Sequence, residues 1–304
     1  MKKTKSLDVC VIGAGRLGTT VSCMLAKKDN PALRLRALAS RSTVSLDRAI
    51  EIMGVKAKGM VFTTDNKKAA ALADCVLICT PDDVIGAVCN KIFAEKDLDF
   101  KGCYALHFSG SKPLSVLDSA KRAGAKVASV HPLKSFASIK EAIKTLPSTV
   151  YGITCCSTES KIVAQLIVKS LGGRAIEVDE SKKTLYHAAA CVASNYLVTL
   201  INYAVLIHKR IGIKSEDSLK GLMGLVEGTV SNIKKMGTEK SLTGPIARGD
   251  LGTIREHMKD FNKYFDRENI DLYKMMGKET GKIAQGNDWI DKKTVRELEK
   301  ILGD

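Results

Sequence analysis

The sequence predicts an α/β chain: a parallel sheet with covering helices over residues 1–180, followed by an all-helical domain over 181–304. Three observations predict it. A glycine-rich turn, Gly13-Ala-Gly15-Arg16-Leu17-Gly18, joins a short apolar run to a helical pattern. Short apolar runs then alternate with helical stretches as far as Val178. From Ser181 onward only helical patterns recur, and that change marks the division near residue 180.

Val9, Val11 and Ile12 form the first strand, and Leu17, Val21 and Leu25 give the following helix a stripe at i, i+4 and i+8. Glycine turns are common, so this strand-and-helix context is what separates a dinucleotide site from a structural turn. In such a site Gly13 makes the tight turn and Gly15 lets the backbone approach a pyrophosphate. Gly18 lets the helix pack on the strand, while the helix N-terminus, with Arg16 and Leu17, supplies unpaired N–H groups to the phosphates.

Leu33 to Ala39 is the second strand, and a site for NAD would place a carboxylate at its end. Ser40-Arg41-Ser42 stands there instead, with no acid before Asp47. A guanidinium and two hydroxyls suit the 2′-phosphate of NADP, since Arg binds phosphate as a fork. Ser42 or Ser45 is also placed to cap the next helix.

Strands follow at 61–63, 74–79, 104–108 and 126–130. Their ends carry Thr80-Pro81-Asp82-Asp83, Ser109-Gly110 and His131-Pro132-Leu133-Lys134-Ser135. In an open parallel sheet these carboxyl ends face one crevice, so Thr80, Pro81, Ser109 and Gly110 are expected beside the nicotinamide. Asp82 or Asp83 is placed to cap the helix running to about Phe93. Two further strands, 149–155 and 174–178, flank a helix at 159–171, and helices follow at 181–209, 215–236, 250–265, 269–283 and 291–302.

With 45% hydrophobic and 27% charged residues, the 304-residue chain is expected to be a soluble, cytoplasmic protein with a large core. The basic head of MKKTK and the short apolar run after it read as strand one rather than as a targeting segment. Nine scattered cysteines, without C-x-x-C or paired histidine spacing, point to reduced thiols and no metal site. The net charge of +15 raises nucleic acid as a partner. Against it, the lysines come as dispersed pairs such as Lys67-Lys68 and Lys182-Lys183, and aromatics are only 5%. A solvated basic surface that attracts small anions is expected, and no nucleic-acid partner. Thr184 to Ile207 carries no Lys, Arg, Asp or Glu and is long enough to span a bilayer. His187, Ser194, Asn195, Thr199 and Asn202 interrupt it, so burial between domains or subunits is expected rather than a membrane.

The motifs GAGRLG, TPDDVI, HFSGS, HPLKSF, YHAAACVASNYLV and LTGPIARGDLGTIREH together resemble a family of NADP-dependent oxidoreductases. These join a Rossmann-like domain to a helical C-terminal domain of unknown function. More distantly the chain is similar to pyrroline-5-carboxylate reductase, ketopantoate reductase, 3-hydroxyisobutyrate dehydrogenase and prephenate dehydrogenase. The resemblance implies a 6-phosphogluconate dehydrogenase-like arrangement, NADP(H) as cofactor and a homodimer built through the helical domain. It implies no substrate.

Hydroxyacid dehydrogenases carry a Lys with an Asn four residues on at the start of the long helix. Here Lys183 is followed at that spacing by His187, which does not support the lysine mechanism. His187 then takes the acid/base position, with Cys191, Ser194 and Asn195 along the same side at i+4, i+7 and i+8. A buried histidine bonded to backbone is the blander alternative. His131 resembles the His-Pro turn of prephenate dehydrogenases and either contacts substrate or pins the turn. Ser135 on the same loop and Arg248, between Ala247 and Gly249, are expected at a substrate carboxylate, while Asp250 can cap the helix behind Arg248. The expected reaction is hydride transfer between NADP(H) and a small carbonyl or imine compound carrying a carboxylate. The alternative is a regulator or scaffold that binds NADP without turnover.

Overall fold

The computed structural model describes residues 6–26, 31–94 and 98–303; the basic head read above lies outside them. The chain divides into two compact units, Met1–Tyr196 and Leu197–Asp304. The change from mixed to purely helical structure comes after Glu177, ahead of that boundary, so the helix Lys183–Cys191 belongs to the first unit.

The first unit is built on an eight-stranded sheet ordered β3-β2-β1-β4-β5-β6-β7-β8. The strands are β1 (Leu7–Ile12), β2 (Leu33–Ala39), β3 (Val61–Thr63), β4 (Cys75–Ile78), β5 (Tyr104–His107), β6 (Lys126–Pro132), β7 (Val150–Cys155) and β8 (Arg174–Glu177). β1 pairs in parallel with both β2 and β4, so the strand order reverses beside it and the carboxyl ends of β1 and β4 frame a crevice. Helices cover both faces, so successive residues of β1 are buried on opposite sides: Val9 and Val11 in one core cluster, Cys10 and Ile12 in the other.

One pairing departs from the parallel expectation: β7 runs antiparallel to β6, with His131 opposite Gly152. The connection carries the 7-residue helix Ile139–Thr145. The 13-residue helix Thr158–Ser170 follows β7, and β8 returns parallel to it.

Five of the nine cysteines are buried and none is paired. Burial pushes the thiols of Cys10, Cys75 and Cys79 far above their ordinary range, as expected of inert core residues. The helix N-cap expected near Ser42 is Ser42 itself, whose hydroxyl accepts from the Ser45 N–H.

The second unit is helical: Leu197–Arg210, Ser215–Lys240, Leu251–Tyr264, Arg267–Gly286 and Lys292–Leu302. The second of these breaks at Gly237, with φ at 82°, where the sequence pattern ended it. Ile254, Met258, Leu298 and Leu302 form its core. Gly277 and Gly281 let Leu302 and Leu298 approach; a Cβ there would lie 2.8 and 2.7 Å from them. Among the described residues, Glu180–Arg210 is a helical run long and apolar enough to cross a membrane. Leu185, Val192, Tyr196 and Val198 on it are exposed.

Candidate active site

The three glycines of the turn do different things. Gly13 has φ of +111°, and a Cβ on it would lie 2.8 Å from the Cys79 carbonyl oxygen. A Cβ on Gly18 would strike the Gly13 carbonyl and stand 3.1 Å from Cys79 Cβ. Both are therefore required by packing. Gly15, the N-cap of the helix Arg16–Leu25, has nothing within 4 Å of its Cβ position. Its missing side chain leaves open space over the N–H groups of Arg16, Leu17 and Gly18, which is what an incoming phosphate needs.

Beside this turn lies a crevice of about 490 Å³ lined by Gly13, Gly15, Ser40, Arg41, Ser42, Thr80 and Pro81, together with Asn66 and Lys91. None of its lining residues is acidic. The Thr80 hydroxyl oxygen is buried there without a hydrogen-bond partner, leaving a polar group for a ligand to satisfy. Arg48 donates to the Ala14 carbonyl at 3.4 Å and brings a second cation to the turn. This donor set fits a phosphorylated dinucleotide.

Asp82 does not cap the helix after β4, and neither does Asp83. Asp82 Oδ2 instead accepts from Ser109 Oγ at 2.6 Å and from Ser111 Oγ at 3.3 Å. The hydroxyls of the β5 turn win this carboxylate because strand pairing sets β5 next to β4. Ser109 and Gly110 thus sit at the strand end next to the crevice, tied to it through Asp82. The Ser109 N–H donates to His107 Nδ1 at 3.1 Å.

Gly110 carries the two histidines. A Cβ there would lie 2.7 Å from His187 Cδ2 and 2.8 Å from His131 Cε1. The two rings meet edge-on with centroids 5.7 Å apart. Tyr186 completes the group: its hydroxyl accepts from the Gly152 N–H at 3.1 Å and lies 3.3 Å from His131 Nδ1. Burial above all, then the charges of His187 and Lys183, lower the His131 pKa to about 4, with Asp82 opposing. His187 also stands 3.7 Å from Cys191 Sγ, one turn on.

A second cavity, about 720 Å³, is lined by His131, Lys134, Ser135, Tyr186, Cys191, Ser194 and Asn195. The helix changes character at this wall: Val192–Tyr196 is a π turn. An unbroken α-helix would carry Asn195 about 80° past His187. The wider turn rotates less per residue and brings Asn195 back toward that side, a distortion common at functional sites. Arg248 is exposed in the second unit, in the short turn Ile246–Arg248. Asp250 caps the helix behind it, accepting from the Thr253 N–H at 3.1 Å.

Lys183 departs furthest from its sequence reading. Placed there among solvated surface lysines, it is 2% exposed, with Nζ 2.7 Å from Ser129 Oγ and 3.4 Å from the Ser109 carbonyl oxygen. Tyr186, Asp82 and Gly152 were not singled out as site residues by their sequence pattern, and Lys183 was set aside because His187 stands four residues on where an Asn was required. For Tyr186 the one available signal was its place next to His187.

The sheet order and glycine turn define a Rossmann-like fold followed by a helical region, and comparison with known proteins agrees. Residues 149–280 match the family described as Domain of unknown function (DUF2520). No curated protein matches the chain. Among solved structures, protein TM1727 from Thermotoga maritima is similar at 25% identity and a TM-score of 0.72, over 92% of this chain and 99% of that one. BF3122 from Bacteroides fragilis, described as a proposed NADP oxidoreductase, is 19% identical with a TM-score of 0.69, over 91% and 99%. The pyrroline carboxylate reductase of Plasmodium falciparum, solved with NADP bound, is 12% identical with a TM-score of 0.56, over 99% and 100%.

Proposed function

We propose that the protein is an NADP(H)-dependent oxidoreductase acting on a small carbonyl or imine compound that carries a carboxylate. The observation that carries this reading is continuity. Thr80 and Pro81 line the crevice, the next residue, Asp82, accepts from Ser109, and Gly110 after Ser109 holds the two histidines against it. In this reading the helix start at Arg16 takes the pyrophosphate, and Ser40, Arg41 and Ser42 take the 2′-phosphate. Thr80, Pro81, Ser109 and Gly110 border the nicotinamide. The bound cofactor supplies or accepts the hydride.

The chain's own groups handle the proton and the substrate. His131, with its pKa lowered to about 4, is neutral at ordinary pH. The Tyr186 hydroxyl accepts from the Gly152 N–H and donates to the His131 carbonyl oxygen at 3.5 Å, so its second lone pair can take Nδ1–H and leave Nε2 without a proton. The neutral imidazole accepts the substrate's proton at Nε2 in the oxidative direction, and in the reductive direction the imidazolium so formed returns that proton to the substrate. His187, 3.7 Å from the Cys191 thiol of the second cavity, and Asn195 on its wall are assigned to the substrate's polar atoms, and Lys134 with Ser135 to its carboxylate. The exposed apolar side chains of the long helix support a second copy of the chain as their cover, so a homodimer in the cytoplasm belongs to this reading.

The test is thermal stabilisation over concentration series of NADPH and NADH. Preferential stabilisation by NADPH supports the cofactor assignment and leads to a screen of small keto and imino acids for its oxidation. No shift with either nucleotide overturns the reading. Binding without turnover across the screen favours a regulator.

A further inference from the structure

We propose that Lys183 is a positioning residue: its buried ammonium ties the Ser109–Gly110 turn to β6 and sets a fixed positive charge beside the paired rings of His131 and His187. The inference rests on the reading above only in taking those rings as the substrate side of the site.

The geometry begins with Ser109, whose three polar groups are all held. Its N–H donates to His107 Nδ1 and its hydroxyl to Asp82. Its carbonyl oxygen accepts from Ser129 Oγ at 3.2 Å and from Lys183 Nζ at 3.4 Å. Lys183 Nζ also donates to Ser129 Oγ at 2.7 Å, so ammonium, hydroxyl and carbonyl close a triangle joining the long helix, β6 and the turn after β5. The next residue is Gly110, with the rings against it. A small movement of the Ser109 peptide therefore moves the seat on which both histidines rest.

Stability alone does not account for a lysine here. Burying an ammonium costs several kcal/mol unless a counter-ion offsets it. Among the described residues no carboxylate lies within ion-pair distance of Lys183: Glu180 Oε1 accepts from the Leu114 N–H at 2.6 Å, and Asp82 is engaged with Ser109 and Ser111. Burial accordingly lowers the Lys183 pKa to about 8, with Glu180 and Asp82 opposing. The ammonium is held by neutral oxygens, and its charge is felt by the rings. The titratable and charged groups facing His131 are His187, Tyr186 and Lys183 from the long helix and Asp82 from the turn after β4, with the His107 ring on β5.

The experiment titrates the histidine Cε1–H resonances by NMR in the nucleotide-free full chain, for the wild type, Lys183→Met and Lys183→Arg. Removing the charge is expected to raise the His131 midpoint, with burial and His187 still holding it below the ordinary histidine range, and Lys183→Arg to keep it low. An unmoved His131 midpoint in a folded Lys183→Met protein overturns the proposal. Should that variant not fold, Ser129→Ala removes the nearest partner of Nζ and keeps the charge. Its Ser111 and Lys112 amides, which donate to Ser109 Oγ at 3.3 and 3.0 Å, are then expected to exchange at least several-fold faster, and unchanged exchange overturns the positioning role. None of these readouts needs bound nucleotide. NADPH stabilisation, measured separately on the same samples, tells failure of the cofactor reading from failure of this one.

Discussion

Gly110 sits against His131 with no space for a methyl group: a Cβ would lie 2.8 Å from Cε1 and 2.9 Å from Nδ1 of the ring. Since His187 stands at 2.7 Å on the same Cβ position, neither ring can yield toward the other without moving its helix or strand. Gly110→Ala is expected to destabilise the protein by about 1–3 kcal/mol, the usual range for overpacking. Turnover should fall by at least tenfold while NADPH still stabilises the protein, because the glycine turn lies on another strand end. Denaturant unfolding, kinetics and a thermal shift check the three parts. Unimpaired turnover would remove the two rings from the reaction.

The glycines of the phosphate turn separate folding from binding. Gly15→Ala introduces a methyl group into open space, so the unfolding midpoint should change by no more than a degree or two, while NADPH affinity drops at least tenfold. Gly13→Ala meets both a left-handed φ and the Cys79 carbonyl, and is expected to lose several degrees of stability before any question of binding arises. Equal behaviour of the two variants in melting and binding would contradict the roles assigned to them.

The same contrast shows what the sequence carried. Gly13, Gly18 and Ser42 act through neighbours close in sequence or through the strand next to their own, so spacing alone disclosed them. The strand at 61–63 was legible to the residue. Lys183 was not, because its partners are 54 and 74 residues away and a lysine pair reads as solvated surface. Asp82 follows a proline where a cap belongs, and only the strand order brings Ser109 to compete for it. Tyr186 depends on β7 running antiparallel to β6, which sets Gly152 opposite His131. The π turn left no mark in a run of small and apolar residues.

Arg41 sets the cofactor preference in the proposed function. It is exposed at the edge of a crevice without acidic lining, so removing it leaves the core untouched. Arg41→Ala is expected to weaken NADPH binding by about tenfold to a hundredfold, as loss of charged hydrogen bonds worth about 1.5–3 kcal/mol implies. NADH binding should stay within a factor of two. Isothermal titration with both nucleotides measures the difference, and equal losses would remove the 2′-phosphate from this position.

Acid should destabilise the protein well before its carboxylates titrate. Burial lowers the pKa of His131 from 6.5 to about 4, and that of His107 from 6.5 to about 3. Between those values the unfolded chain binds more protons than the folded one, so stability falls as pH drops through 6.5. The His131 contribution is complete above 6.5, declines toward pH 4 and falls no further below it. By pH 5 it amounts to roughly 2 kcal/mol, at about 1.4 kcal/mol per pH unit. Lys183 adds a second window of the same sign: with its pKa lowered from 10.5 to about 8, its contribution to stability rises with pH between those values. Urea unfolding of the wild type and His131→Gln at pH 7 and pH 5 tests the acid branch. The variant is expected to lose about 1–2 kcal/mol less than the wild type between the two pH values. Equal losses would mean that His131 titrates normally in the folded protein and is not held neutral by its surroundings.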